Sequence, residues 1–381
     1  VTPLEVTDEQ ARERVASSRR VVVKVGSSSL TSADGGHLDL DRLRGVVDAL
    51  AGRVALGAQV VLVSSGAIAA GLGPLGLPSR PRDLATQQAA ASVGQGALVA
   101  AYDQAFRRHG LTVGQVLLTA DDTTRRTHYT NARRTLDRLL TLGILPVINE
   151  NDTVATSEIR FGDNDRLAAL VAHLVGADAL LLLTDVDALY TDKPGRPGAR
   201  RIPVVRGREE LDAVDVSARG SRVGTGGMQT KVEAASIAGA AGITAMLASA
   251  ADVAPALAGE DVGTVFVPAQ RRRAPRTWWL QHATTSRGEL VVDAGAVTAL
   301  TQRGKSLLPA GIVEVRGSFV DGDPVDVVGP DGTVLGRGLS NYGSVELPLM
   351  LGRSTKEIAA DLGPEYEREV IHRDHLALHP R

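Results

Sequence analysis

The sequence predicts an α/β protein: a three-layer α/β/α sandwich around a mainly parallel central sheet, followed by a small β-rich domain. Three observations carry this. From Arg20 onward, short apolar β-branched runs alternate with longer Ala- and Leu-rich amphipathic stretches, the pattern of a parallel sheet covered on both faces. Beyond Glu289 the pattern changes to short runs divided by Gly, Asp and Pro turns. The chain has 381 residues, which at about 150 per domain fits two or three domains.

Strands are expected at 21–25, 60–63, 113–118, 145–148, 179–183 and 244–247, where Val, Ile and Leu run together without helical spacing. Helices are expected between them at 38–53, 84–108, 131–142, 165–175 and 227–241. In the second region strands are expected at 289–292, 312–315 and 325–328, with one helix at 294–303. The resulting domain plan has a flexible N-terminal extension, 1–18, and an α/β domain, 19–270. A basic, proline-containing linker, 271–288, a β-rich domain, 289–366, and a tail, 367–381, complete it.

Composition narrows the function classes. Aromatics are only 3%, so the core must be built from Ala, Val, Leu and Ile. The formal charge of -2 gives no global reason for nucleic-acid or membrane binding. Absence of cysteine excludes disulfides, thiolate metal sites and thiol nucleophiles. Two uncharged stretches approach a membrane span in length, but Gly71, Gly73, Pro74, Gly76 and Pro78 break the first. The second carries Gln87, Gln88 and Gln95. The N-terminal residues hold no apolar core of a signal peptide, so a cytoplasmic protein is expected.

In a parallel sheet the ligand crevice lies beyond the carboxyl ends of the strands, and three polar clusters fall there. Lys24 precedes Gly26-Ser27-Ser28-Ser29, where backbone N–H groups and hydroxyls can cradle a phosphate beside a point charge. The bland alternative is a turn with an exposed lysine. The chain holds five lysines among its 42 basic residues, so a retained ammonium beside a glycine-rich loop invites a role. The second cluster is Thr225, Gly226, Gly227, Met228, Gln229, Thr230 and Lys231 at the entry to a helix. Free N–H groups there attract anions, though a flexible loop followed by a solvated lysine is the simpler reading. The third comprises Asn149 to Asp152, Gly162 to Asp165, and Thr184-Asp185. Carboxylates and amides can orient lysines, hold water on Mg²⁺ or bind an ammonium; turn and helix-cap chemistry is the alternative, with Asp163 or Asp165 as a cap.

Four patterns are set aside. Gly71-Leu72-Gly73-Pro74-Leu75-Gly76 has dinucleotide-fingerprint spacing but contains Pro and does not directly follow the strand. Gly304-Lys305-Ser306 ends like a nucleotide P-loop, with Ala299 where the first Gly belongs. His372, His375 and His379 have metal-compatible helical spacing but few accompanying donors. Ser64-Ser65-Gly66 lacks the serine-hydrolase context.

The segments VVKVGSSSL (22–30), SSGAIAAG (64–71), NENDTVAT (149–156), GDND (162–165), LLLTDVDALYT (181–191) and GTGGMQTK (224–231) resemble the glutamate 5-kinase family of the amino-acid kinase superfamily. The region from about 289 to 363 resembles a PUA domain. The resemblance spans nearly the whole chain after the first eighteen residues. It implies the amino-acid kinase fold and transfer of the γ-phosphoryl of MgATP to the side-chain carboxylate of L-glutamate, opening proline synthesis under feedback by proline. It assigns Lys24, Lys231 and Asp165 to catalysis and Ser65, Asp152 and Asn164 to glutamate. Thr184, Asp185 and residues 225–231, with Lys24, fall to the nucleotide.

Charge chemistry then gives expected roles. The two lysines neutralise phosphate oxygens, Mg²⁺ rides mainly on the nucleotide phosphates, and Asp165 orients the lysines. An ionised glutamate needs no base at pH 7. Ser65 and the Asn164 amide are expected to donate to carboxylate oxygens, and Asp152 to face the ammonium. A homo-oligomer and transient handover of product to glutamate-5-semialdehyde dehydrogenase follow from the resemblance. The alternatives are a sister kinase acting on aspartate or N-acetylglutamate, and an RNA-binding regulator. Against the latter, the C-terminal region lacks a dense basic patch.

Overall fold

The computed structural model describes residues 6–32, 37–119, 122, 126–154, 164–192, 194, 196–207, 209–212, 227–268, 280 and 286–379. The chain divides into two compact units, Val1–Asp121 with Thr130–Arg273, and Asp122–Tyr129 with Ala274–Arg381.

The first unit is built on an eight-stranded sheet. Its strands are β1 Arg20–Val25, β2 Gln59–Ser64, β3 Val113–Leu118, β4 Leu145–Glu150, β5 Ala179–Thr184, β6 Val204–Val205, β7 Thr244–Ser249 and β8 Thr264–Phe266. The order is β3-β4-β2-β1-β5-β7-β8-β6. Every neighbouring pair is parallel except β7 and β8. All six strands expected in this region are present. Strands β6 and β8 were not expected; runs of two and three residues carry too little periodicity to read.

Helices cover both faces: α1 Asp8–Ala16, α2 Leu40–Ala55, α3 Ala67–Leu72, α4 Leu84–Arg107, α5 Arg126–Thr141, α6 Asn164–Leu174, α7 Met228–Ala240 and α8 Val253–Ala258. Val21, Val23 and Val25 of β1 share a buried cluster with Leu43 and Leu50 of α2 and Leu98 and Phe106 of α4. Strand alternation sends Lys24 to the opposite face, where α6 packs on β1 and β5, and α7 on α6 and β7.

Gly71 explains itself as packing. A Cβ there would stand 2.0 Å from the Ala90 carbonyl oxygen, and one at Gly94 1.8 Å from that of Ala67. Helices α3 and α4 therefore meet backbone to backbone, and the fingerprint-like glycines begin at that contact.

One expectation for this unit is corrected. Residues 7–18 are not a flexible extension: Thr7 and Gln10 form a reciprocal capping box at the start of α1. Ala11 and Val15 of α1 are fully buried in the main core. The helix is amphipathic only through these two positions, a signal too sparse to read in a polar segment.

The second unit is a five-stranded sheet of β9 Gly288–Val292, β10 Ile312–Gly317, β11 Pro324–Val328, β12 Val334–Leu339 and β13 Leu376–Leu378, in the order β10-β9-β11-β12-β13. Helices α9 Ala294–Thr301 and α10 Thr355–Leu362 accompany it. Leu290, Phe319, Val327 and Tyr342 are among its buried core. The segment expected as a tail supplies β13 and the fully buried Val370 and Ile371. His372, His375 and His379 therefore lie on a turn and beside a strand, not along a helix face. Residues 269–279 and 281–285, most of the expected linker, lie outside the described residues.

Candidate active site

Strand β1 stands where the chain order reverses, with β2 on one side and β5 on the other. Such a switch point opens a crevice beyond the strand ends. Register brings the relevant residues to that edge. Val25 pairs with Ser64 and Leu183, and Val63 with Ile148. The Ser65 N–H donates to Val25 O at 3.1 Å, and the Gly26 N–H to Leu183 O at 3.3 Å. The segments after β4, β2, β1 and β5 thus leave the sheet side by side.

At the centre is a carboxylate held by two lysines. Asp165, in the first turn of α6, has no solvent exposure. Its Oδ1 is paired with Lys24 and its Oδ2 lies 3.0 Å from Lys231 Nζ. Thr230 Oγ1 lies 3.1 Å from the same Oδ2. Burial pushes the Asp165 carboxyl up, but the ammonium groups of Lys24 and Lys231 overcome this and hold it below the ordinary carboxylate range. Lys24 and Lys231 are themselves 4% and 7% exposed. Among the described residues these two buried cations share one carboxylate, and an arriving anion would add a second counter-charge. Asp165 does not cap its helix; both its oxygens are turned to lysines. Asp163, the other capping candidate, lies outside the described residues.

Beside this triad an amide chain links β4, α4 and α6. Asn149 Oδ1 accepts from the Glu150 N–H at 2.9 Å and from Asn164 Nδ2 at 2.8 Å. Its own Nδ2 therefore donates to Gln95 Oε1, at 2.7 Å. Asn164 Nδ2 also lies 2.9 Å from Ser64 O and 3.0 Å from Ser65 Oγ. The chain's polarity is thus set by backbone groups at both ends, a donor at Glu150 and an acceptor at Ser64. Among the described residues it leaves two buried atoms without a hydrogen-bond partner, Gln95 Nε2 as a donor and Asn164 Oδ1 as an acceptor. The Asn164 NH₂ group, expected to donate to a substrate carboxylate, faces three acceptors within the protein, and Oδ1 is the atom left open among the described residues. Ser65 follows directly on β2, with Gly66 (φ 102°) turning the chain into α3. Beneath it, the buried Tyr102 hydroxyl contacts Ser64 Oγ at 3.0 Å. Burial raises the Tyr102 phenol above its ordinary value, so it stays a neutral hydroxyl.

Asp152 lies in the half-buried turn two residues after β4. Thr184 ends β5, and its Oγ1 donates to Asp185 Oδ1 at 2.9 Å. Gly227, Met228, Gln229, Thr230 and Lys231 form the entry and first turn of α7. Thr225 and Gly226 lie outside the described residues. Sequence reasoning missed Gln95. Its only signal was a polar side chain in the uncharged run 84–102, where it counted against a membrane helix.

The profile of the amino acid kinase family matches residues 19–249, and that of the PUA domain residues 288–362. The chain thus has the fold of an amino acid kinase with an appended PUA domain. Among similar proteins, the glutamate 5-kinase of Salinispora arenicola is 62% identical over 96% of this chain and 100% of its own. That of Streptomyces avermitilis is 60% identical over 97% and 98%. That of Bifidobacterium animalis subsp. lactis is 54% identical over 98% and 99%. The chain belongs to the glutamate 5-kinase family.

Proposed function

We propose that this protein transfers the γ-phosphoryl group of MgATP to the side-chain carboxylate of L-glutamate, giving L-glutamyl 5-phosphate and ADP. The observation that carries the reading is the buried Lys24–Asp165–Lys231 cluster at the sheet switch point, in a chain of this family.

The obstacle in such a reaction is repulsion, because an anionic carboxylate must approach an anionic phosphate. Positioning and charge stabilisation therefore dominate. Lys24 and Lys231 neutralise the phosphate oxygens as charge shifts toward the leaving ADP. Asp165 holds the two ammonium groups apart and aimed, and it takes no proton. Mg²⁺ bound with the nucleotide would offset part of the phosphate charge. Thr184, Asp185 and the 225–231 segment hold the nucleotide. Ser65 donates to a substrate carboxylate; Asp152 and Asn164 Oδ1 accept from its ammonium. Inhibition by proline, a homo-oligomer, a cytoplasmic site and passage of product to glutamate-5-semialdehyde dehydrogenase are proposed from the family likeness alone.

The test is Mg²⁺- and ATP-dependent ADP release with L-glutamate, L-aspartate and N-acetyl-L-glutamate, with and without proline. Hydroxylamine is present to trap an acyl phosphate. Glutamate-selective turnover with a hydroxamate product is expected. Turnover with another acid would move the substrate while keeping the mechanism, and none in folded protein would overturn the reading.

A further inference from the structure

Two of the sequence patterns set aside above meet in the second unit. Lys305-Ser306 and His372-Arg373 lie on adjacent segments, joined by the antiparallel bridge between Leu307 and Ile371. Both line a cavity of about 680 Å³, within the range of roughly 300–1,000 Å³ typical of small-molecule sites.

Its walls are set by backbone hydrogen bonds. The Lys305 N–H donates to Ala299 O at 3.0 Å, the Leu307 N–H to Ile371 O at 2.8 Å, and the Asp293 N–H to Gly311 O at 3.0 Å. Ala296, Ala299 and Leu300 of α9 form one apolar wall, facing Leu307 and Leu308. Leu308 is left 46% exposed at this surface. Three donor-bearing side chains stand with these walls. The Arg373 backbone N–H donates to Ser306 Oγ at 3.0 Å, which engages the hydroxyl oxygen and leaves its proton to point elsewhere. Lys305 is exposed and has no ion-pair partner among the described residues. Arg373 has only a 3.9 Å approach to Asp374 among them. The lining carboxylate, Asp293, is turned to its helix, accepting the Ala296 N–H at 2.7 Å.

We propose that this cavity is a second, non-catalytic ligand site for a small organic anion. The apolar body lies against α9 and Leu308, and a phosphate or carboxylate head meets Lys305, Ser306 and Arg373. A guanidinium, an ammonium and a hydroxyl among the residues lining one cavity suit such a head, and the alanine and leucine walls suit a flat apolar body.

Phenyl phosphate is the first probe, titrated into the full-length protein by calorimetry and ligand-detected NMR. Benzoate distinguishes a carboxylate head from a phosphate one, while inorganic phosphate and benzyl alcohol test each half alone. Ala299→Trp fills the cavity, and the difference between parent and this variant isolates cavity binding from any at the kinase site. Lys305→Gln and Arg373→Gln change only exposed groups and keep the test valid if Ala299→Trp does not fold. The expected result is a tenfold or greater loss of phenyl phosphate or benzoate affinity in each rim variant, with kinase turnover unchanged. Unchanged affinity in both rim variants overturns the proposal. So does inorganic phosphate bound as tightly as phenyl phosphate, meaning an adventitious ion only, or benzyl alcohol bound as tightly. An RNA oligonucleotide bound through Lys305 and Arg373, with neither small anion bound, overturns it in favour of a nucleic-acid face.

Discussion

Lys231 and Asp165, 66 positions apart in the chain, are both buried and place Nζ and Oδ2 3.0 Å from each other. Each sits in the first turn of its helix, where a carboxylate suits the helix dipole and an ammonium does not. Asp165 therefore stabilises α6 directly and offsets the cost of the cation in α7. With Lys24 on its other oxygen, it is the hub of a buried cluster that joins two like charges through one carboxylate.

Lys231→Ala should lower kcat by more than about tenfold, a loss above roughly 1.4 kcal/mol of transition-state stabilisation. Steady-state rates at saturating glutamate and ATP check this. An unchanged kcat removes Lys231 from catalysis.

Asp165→Asn leaves two buried ammonium groups without their counter-charge. Removal of one partner from a buried pair costs about 3–5 kcal/mol, which urea midpoints at pH 7 would show. The folded carboxyl titrates below its ordinary value, so its contribution is full above the unfolded value of about 3.9. It is lost as pH falls through the lower folded value. The stability gap between parent and variant should accordingly close only in that acid range, and a gap that closes between pH 5 and 7 contradicts the assignment.

Gln95→Leu removes the buried donor at the end of the amide chain and leaves Asn149 Nδ2 without its acceptor. The glutamate KM should rise at least tenfold, with the ATP KM within about twofold, because the chain reaches Ser65 and Asn164 rather than the lysines. Asp152→Asn is expected to act in the same direction, mostly on the glutamate KM. Loss of turnover at saturating glutamate would show that either residue does more than bind.

Gly94→Ala sets two effects against each other. Helix propensity favours alanine by about 1 kcal/mol, but the new Cβ would stand 1.8 Å from the backbone oxygen of Ala67. Backbone cannot yield as a side chain end can, so a net loss of about 2 kcal/mol or more is expected from overpacking. A denaturation midpoint equal to the parent's would mean that α3 and α4 separate freely.

Deletion of residues 1–18 should destabilise the protein by about 2–4 kcal/mol, the scale of burying Val15, Ala11 and their neighbours. Equal urea midpoints for the two forms would mean that α1 adds nothing to the core.

The sheet was legible because parallel strands buried on both faces are unbroken apolar runs, as in Val21–Val25 and Ala179–Leu183. Lys24 and Lys231 were legible as retained lysines beside glycine-rich loops, and Asp165 as one of a cluster of acidic and amide residues; the family resemblance, not the spacing, singled the three out. The N-terminal helix was not legible, since its packing rests on two small side chains. Nor was β13, three residues long and paired with β12.

Residue type and local spacing, then, determined the α/β class, the change to a β-rich second region and the lysine- and glycine-bearing loops, because each is written within a few neighbouring positions. Only the tertiary structure decided that one carboxylate serves both lysines. It also decided that Gln95 closes an amide chain begun at Ser64, and that Lys305 and Arg373 share a cavity. Those relationships depend on strand order, register and helix packing, which bring together groups that no local periodicity connects.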